Sequence, residues 1–345
     1  MALSRRRFLT LSAAGTAAMA TRPLAGWTGP VSQAGWASGP ALPWTTQEVY
    51  GTTWNGRIVL AGGLRSRAAS NRAFTTLAGT ALYDPAAEAW ATGPDLPDPR
   101  HHIVLSAAGG MVYGFGGFVG ESLSDGFQFR DDVYAFNGDR WVQMGTMPTR
   151  LGETVARTVG GRIHLATGSL HTSSGPQGAT GTHLVYDPSA DAWTEARPAP
   201  TARSSATGGV IDGQLYVVGG RRRGAEGLQN LGTLERYDPA ADEWTELRPL
   251  PQPSGGLAGA ALNGRLYCFG GEYFGANGGG VYKQTWAYDP AADTWTERPP
   301  MPTPRHGLAA AALNDRIFAM GGNTAPAVGA ATTDAVEVLA PTPDD

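Results

Sequence analysis

Short apolar runs that end on paired glycines set the rhythm of this chain. In one full unit, residues 307–313 are followed by Asn314-Asp315-Arg316, then by the apolar run Ile317 to Met320 and the pair Gly321-Gly322. The later half of a unit reads Thr285-Trp286-Ala287-Tyr288-Asp289-Pro290, then a turn through Thr294, then Trp295-Thr296-Glu297. Runs this short, bounded by Gly, Pro, Asn and Asp, predict β-strands, four to a unit. Asn55-Gly56, Asp212-Gly213 and Asn263-Gly264 fall between the first two strands, where a two-residue hairpin needs residues that tolerate positive φ. Asp-Pro-Ala-Ala segments separate the third and fourth strands, with proline favouring the start of a turn.

The unit repeats six times. Paired glycines occur at 62–63, 116–117, 219–220, 270–271 and 321–322, with Thr167-Gly168 filling the gap. Tryptophans stand at Trp36, Trp90, Trp141, Trp193, Trp244 and Trp295. Both series advance by 54, 51, 52, 51 and 51 residues, so two independent markers share one period. Six four-stranded units predict radial blades around a central channel. If each tryptophan wedges between blades it buries about 150–250 Å², worth about 4–6 kcal/mol as an upper bound.

Strand, double glycine, long loop, tyrosine, turn and tryptophan in this order resemble the kelch repeat, over about residues 35–340. The expected fold is therefore all-β: a six-bladed kelch-type β-propeller with four antiparallel strands per blade. Residues 335–340 align with a third strand, but no tryptophan-bearing fourth strand follows them. The missing strand comes first in the chain, at Gly35-Trp36-Ala37-Ser38, so the N-terminal strand is expected to close the last blade.

Composition narrows the function. Only 16% of the 345 residues are charged, the formal net charge is −4, and the chain has 49 glycines. Arg5, Arg6 and Arg7 account for three positive charges, so the remainder carries about −7, which speaks against nucleic acid. No run of about 18 or more apolar residues exists to span a membrane. The lone Cys268 excludes an intramolecular disulfide and reads as buried filler within Leu266-Tyr267-Cys268-Phe269. Ser4-Arg5-Arg6-Arg7-Phe8-Leu9 precedes a mild apolar stretch ending Ala18-Met19-Ala20, the layout of a signal peptide. It resembles a twin-arginine export signal over 1–20, followed by a 21–34 linker, the 35–340 propeller and a 341–345 tail. The expected location is the periplasm or the exterior, and one chain closes the ring, so a monomer suffices.

The short turns leave little to do chemistry with, whereas the segments after each double glycine (64–79, 118–131, 169–182, 221–232, 272–284 and 323–333) are polar and variable. The aligned connections between blades place Arg100, Arg203 and Arg305 in one slot, with Thr46, Leu151 and Ser254 in the others. His101 and His306 come next. These side chains either ring the channel mouth and grip a carboxylate or phosphate, or hydrogen-bond loop carbonyls. Arg221, Glu272, Tyr273 and Lys283 add polar groups on the same face. His101 and His102, adjacent on a strand, are expected to point to opposite sides.

Three classes of function fit this face. The first is a binding module for a glycan, a small polar ligand or a protein partner. The second follows from a resemblance to the exported six-bladed sialic acid mutarotases, whose double-glycine-glutamate pattern is matched by Gly270-Gly271-Glu272. That resemblance implies Glu272 as general acid/base on an anomeric hydroxyl, with Arg203 and Arg305 on a substrate carboxylate. The family's following arginine is absent, with Tyr273 and Lys283 in that loop instead. The third is copper chemistry by resemblance to galactose oxidase, which needs a cysteine cross-linked to tyrosine and has seven blades. The position of Cys268 argues against it, and neither cofactor nor metal is expected.

Overall fold

Six antiparallel sheets follow one another around an axis, each an up-and-down blade of four strands whose first strand faces the channel, with the short strand Arg150–Gly152 added to the sheet of blade 3. The computed structural model describes residues 35–67, 73–122, 126–172, 175–225, 227–275, 278–327 and 331–341. The expected signal segment 1–20, the expected linker 21–34 and residues 342–345 of the tail lie outside the described residues. Blade 1 comprises Tyr50–Trp54, Arg57–Ala61, Thr80–Asp84 and Ala89–Gly93. The inner strands of blades 2 to 5 are Val104–Ala108, Val155–Val159, Thr207–Ile211 and Ala258–Leu262. Blade 6 takes Ala309–Leu313, Arg316–Met320 and Val336–Leu339 from the end of the chain. Its outer strand is Trp36–Ser38, paired antiparallel as Trp36↔Leu339, Ala37↔Val338 and Ser38↔Glu337. The N-terminal strand closes the ring.

The hairpin signals act as their chemistry requires. Asn55 and Gly56 sit at φ 48° and 72°, and Asn263 and Gly264 at 50° and 74°, left-handed at both central positions of the turn. The double glycines answer a different need. A Cβ on Gly62 would collide with the carbonyl oxygen of Arg100, and one on Gly270 with that of Arg305. At each blade the second glycine position meets the next connector: Gly63, Gly220, Gly271 and Gly322 donate to the carbonyls of Arg100, Ser254, Arg305 and Thr46 at 2.8–3.0 Å. Gly168 donates to Arg203 in the same way at 2.7 Å, so Thr167 can replace the first glycine while the second is kept.

Six apolar clusters fill the spaces between neighbouring blades, one to each interface. The tryptophans link the same neighbours through their indole N–H groups. Trp244 and Trp295 donate at 2.8 Å to the carbonyls of Arg197 and Arg248 on the preceding blade, and Trp36 donates at 3.0 Å to Pro299. Only Trp36 and Trp141 of the six repeat tryptophans are fully buried, so the larger burial expected for all of them holds for those two. Cys268 is buried in the cluster between blades 4 and 5, where burial pushes its thiol up.

The segments after the double glycines, expected as loops, form secondary hairpins. Leu64–Ser66 pairs with Phe74–Thr76, Arg221–Gly224 with Gly227–Asn230, and Glu272–Gly275 with Gly278–Val281. Each is pinned at its base by a bridge to a connector, as in Gln47↔Leu64, His101↔Phe118, Ser204↔Arg221, Gly255↔Glu272 and His306↔Asn323.

Trp36 is wholly buried and edge-on to Phe269 at 5.1 Å between centroids. Trp36→Ala is expected to destabilise the protein by about 3–5 kcal/mol, read as a lower urea midpoint; a change within 0.5 kcal/mol would mean that the closing strand is dispensable.

Candidate functional site

One position in each connector adopts left-handed backbone: Glu48 (φ 51°), His102 (54°), Glu153 (53°), Ser205 (52°), Gly256 (65°) and Gly307 (60°). Outside glycine this conformation is uncommon and is held only where the surroundings over-determine it. Here the surroundings are a belt of backbone hydrogen bonds about the axis. Glu48 N donates to Gly307 O, Gly307 N to Gly256 O, Gly256 N to Ser205 O, Ser205 N to Glu153 O and His102 N to Glu48 O, at 2.7–3.2 Å.

The left-handed turn aims four of these side chains at one another. His102 Nε2 lies 2.9 Å from Glu48 Oε2 and 3.6 Å from Glu153 Oε1. Ser205 Oγ donates to Glu153 Oε1 at 2.9 Å and Ser169 Oγ to Glu153 Oε2 at 2.8 Å. The two glycines leave the room that the others fill: a Cβ on Gly307 would lie 2.7 Å from Glu48 Oε1.

Two secondary hairpins complete the cluster. Arg221 reaches between Glu153, at 3.5 Å, and Glu272, with which it forms a direct ion pair. Glu272 Oε2 also accepts the Ala327 N–H at 2.7 Å. His306 Nε2 stands 3.5 Å from Glu272 and 3.6 Å from Glu48, yet neither of its buried ring nitrogens has a hydrogen-bond partner. Three carboxyl groups, the Arg221 guanidinium and two imidazoles thus converge on a cavity of about 360 Å³, which Arg222 and Arg223 also line. Phe118, Phe127, Phe129 and Phe274 supply its apolar wall, with Phe118 stacked on Phe127 at 5.3 Å.

Burial opposes charge on these groups, and their mutual attraction overrides it. Burial pushes the Glu48 carboxyl up, but His102, through its charge and hydrogen bond, with His306 and Arg221 beyond, holds it well below 4.5. Glu153 is lowered likewise, burial being outweighed by Arg221, His102 and Ser169. Burial pulls His102 down, and Glu48 and Glu153 raise it above 6.5. Arg221 is raised because its carboxyl neighbours outweigh its burial. His101 goes the other way, held well below 6.5 by burial and by the charge on His102. Its Nδ1 lies 2.7 Å from His102 Nδ1, so the neutral ring positions the charged one. The rings meet, rather than pointing to opposite sides, because His102 leaves the extended conformation.

Of the residues singled out from sequence, Arg221, Glu272 and His306 line the cavity, and His101 lies behind it. Arg100, Arg203 and Arg305 do not reach it. Their side chains lie inside the blades, without solvent exposure, because each has an acid on the third strand. Arg203 pairs with Glu235 at 2.6 Å and Arg305 with Glu337 at 2.7 Å, and each also donates to two backbone carbonyls. Arg100 pairs with Asp132 at 2.9 Å and donates to Tyr134 Oη. Tyr273 is turned outward against Tyr282, and Lys283 is exposed at the base of the hairpin. Glu48, His102 and Glu153 were not among the expected site residues. Their signal is a non-glycine residue where blades 5 and 6 carry Gly256 and Gly307.

The comparisons with known proteins agree with this architecture. A profile described as the KLHDC2/KLHL20/DRC7 Kelch-repeats domain matches residues 178–322. Kelch-like protein terF of Aspergillus terreus is 26% identical over 260 residues, 73% of this chain and 55% of that protein. Kelch-like protein 36 of Mus musculus is 29% identical over 209 residues, 60% of this chain and 33% of that protein. The chain therefore spans about half the length, or less, of these curated relatives. The solved structure of YjhT superposes with a TM-score of 0.69 at 18% identity, covering 87% of this chain and 97% of that one. With six repeats each closing a four-stranded blade, the chain is a six-bladed β-propeller whose repeats are similar to those of kelch-repeat proteins.

The ion pair between Glu48 and His102 sets a pH window. Glu48, lowered, contributes stability above pH 4.5 that is lost as pH falls through its folded value. His102, raised, contributes below pH 6.5 and loses that contribution as pH rises through its higher folded value. The stability difference between wild type and Glu48→Gln, from urea unfolding at pH 3 to 9, is expected to peak between these limits and shrink on both sides. A pH-independent difference would show that the pair is not ionised.

Proposed function

We propose that the protein is a binding module for a small polyhydroxylated ligand, a sugar unit, seated in the cavity at the mouth of the channel. The observation that carries this reading is the convergence of buried carboxyl groups and the His306 imidazole, whose ring nitrogens have no hydrogen-bond partner, on a concave cavity with a phenyl wall. Carboxylate oxygens accept from pairs of hydroxyls, His306 supplies an unfilled hydrogen-bonding position, and aromatic faces suit the C–H side of a sugar ring. A volume of about 360 Å³ lies within the range of small-molecule sites, and a concave site favours a small ligand over a flat protein contact.

Anomeric exchange at the same site is the second reading, favoured by His306 standing between Glu48 and Glu272. One group would take the proton of the anomeric hydroxyl while another protonates the ring oxygen, breaking the C1–O5 bond; reclosure on the other face returns both protons. An acidic sugar would rely on Arg222 and Arg223, since Arg221, Arg203 and Arg305 are committed to Glu272, Glu235 and Glu337.

Thermal unfolding of the purified chain with neutral sugars, amino sugars, sialic acids and uronic acids tests both. At about 100 times its dissociation constant a ligand stabilises by about 2.7 kcal/mol, a shift of a few degrees. A shift with a neutral sugar, lost in His306→Ala, is the expected result. A shift confined to acidic sugars and lost on replacing Arg222 and Arg223 with Ala would favour exchange chemistry and call for an anomer-resolved NMR assay. Silence with every sugar, together with a protein recovered by pull-down, would overturn the proposal.

We also propose export by the twin-arginine route, resting on Ser4-Arg5-Arg6-Arg7-Phe8-Leu9. Changing Arg5 and Arg6 to Lys is expected to leave the protein in the cytoplasmic fraction; unchanged export would refute the route.

A further inference from the structure

Behind the site the channel continues between the inner strands and opens toward the short turns. Its wider part, about 260 Å³, is lined by the middle residues of those strands, among them Thr52, Thr53, Ser106 and Thr158. The other lining residues are glycine, alanine, valine and leucine, with one exception, Arg157. Arg157 projects from blade 3 and donates to carbonyls of three blades: Nη1 to Ala156 O at 2.8 Å, Nε to Gly208 O at 2.9 Å and Nη2 to Gly259 O at 3.4 Å. Among the described residues no carboxyl group lines this space or the narrower part of about 30 Å³ between it and the loop face.

This arrangement differs in kind from the other arginines at the blade interfaces. Arg100, Arg203, Arg221 and Arg305 each face a carboxyl group at ion-pair distance. Arg157 has neutral carbonyls only, and burial pushes it down to about 10, whereas Arg221 is pushed up by its neighbours. Buried charges are otherwise paired, because an isolated one is expensive to hold away from water. A guanidinium has five N–H donors; three go to carbonyls here, leaving one on each terminal nitrogen. Carbonyl dipoles orient the group without cancelling its charge.

We propose that the channel binds a small oxyanion, a phosphate or a carboxylate, at Arg157, entering from the short-turn face opposite the sugar site. The anion supplies the missing countercharge, takes the two remaining N–H groups of the fork, and meets threonine and serine hydroxyls on the channel wall. The small residues around the axis, Gly51, Gly209, Ala260 and Ala311, keep the space open for it.

The test is a titration of the purified full chain with inorganic phosphate, and separately with acetate, at constant ionic strength, read by thermal unfolding. Three proteins are compared: wild type, Arg157→Gln, and a control with Arg222 and Arg223 changed to Ala. A saturable rise in Tm in wild type and control, lost in Arg157→Gln, is the expected result, and the more effective anion identifies the class. A rise that persists in Arg157→Gln, or no saturable rise with either anion, overturns the proposal. Should Arg157→Gln fail to fold, crystals of wild type grown with sodium selenate decide it: an anomalous selenium peak beside the guanidinium is expected, and a channel without one refutes the site.

Discussion

In each connector a main-chain carbonyl accepts a hydrogen bond from the glycine pair, or its equivalent, of the preceding blade, and much of the molecule follows from that contact. It leaves no room for a Cβ at the first glycine, as at Gly62 beneath the carbonyl of Arg100. It fixes the connector two residues before the left-handed position, where the belt of Glu48, His102, Glu153, Ser205, Gly256 and Gly307 forms around the axis. Side chains at those positions have little choice but to face the channel. The same contact that locks neighbouring blades together thus also aims the carboxyl groups.

Carrying Glu48, His102 and Glu153 there is unfavourable taken alone. Each combines uncommon backbone with a buried ionisable group, and glycine, as in blades 5 and 6, would be easier to accommodate. Proteins tend to keep such features where a site needs them and to offset them elsewhere. The offset here is visible in the six apolar clusters and in the buried pairs Arg203–Glu235 and Arg305–Glu337.

Blade number, strand order and the closing role of Trp36–Ser38 were legible in the sequence because tryptophan, glycine pairs and Asn-Gly turns mark backbone geometry directly. The site was only half legible. Arg221, Glu272 and His306 stand at the mouth as their positions promised, but the arginine slot was read in isolation. Thirty-two residues after Arg100, Arg203 and Arg305 stand Asp132, Glu235 and Glu337, whereas Ala78, His183 and Trp286 follow Thr46, Leu151 and Ser254. An arginine with an acid in the adjoining column is a cross-brace; one without, such as Arg157, is a different object. Glu48 and Glu153 were hidden because nothing in a single column says that the backbone there is left-handed, except the glycines of the last two repeats. The secondary hairpins were missed because their strands, such as Arg221–Gly224 and Gly278–Val281, are short and polar or glycine-rich, without the apolar alternation that marks a strand.

The pairing of Trp36 with Leu339 joins residues 303 positions apart. A chain emerging from the ribosome can build five blades in order, each from local neighbours, while its first strand waits without a partner. The sixth sheet forms only when the last has arrived. Closure is therefore the step of greatest sequence separation and, by the entropy of bringing distant segments together, the slowest expected contact. Until then blades 1 and 6 each keep an open flank, and that unfinished circle is where a second molecule could mistakenly dock its own strand.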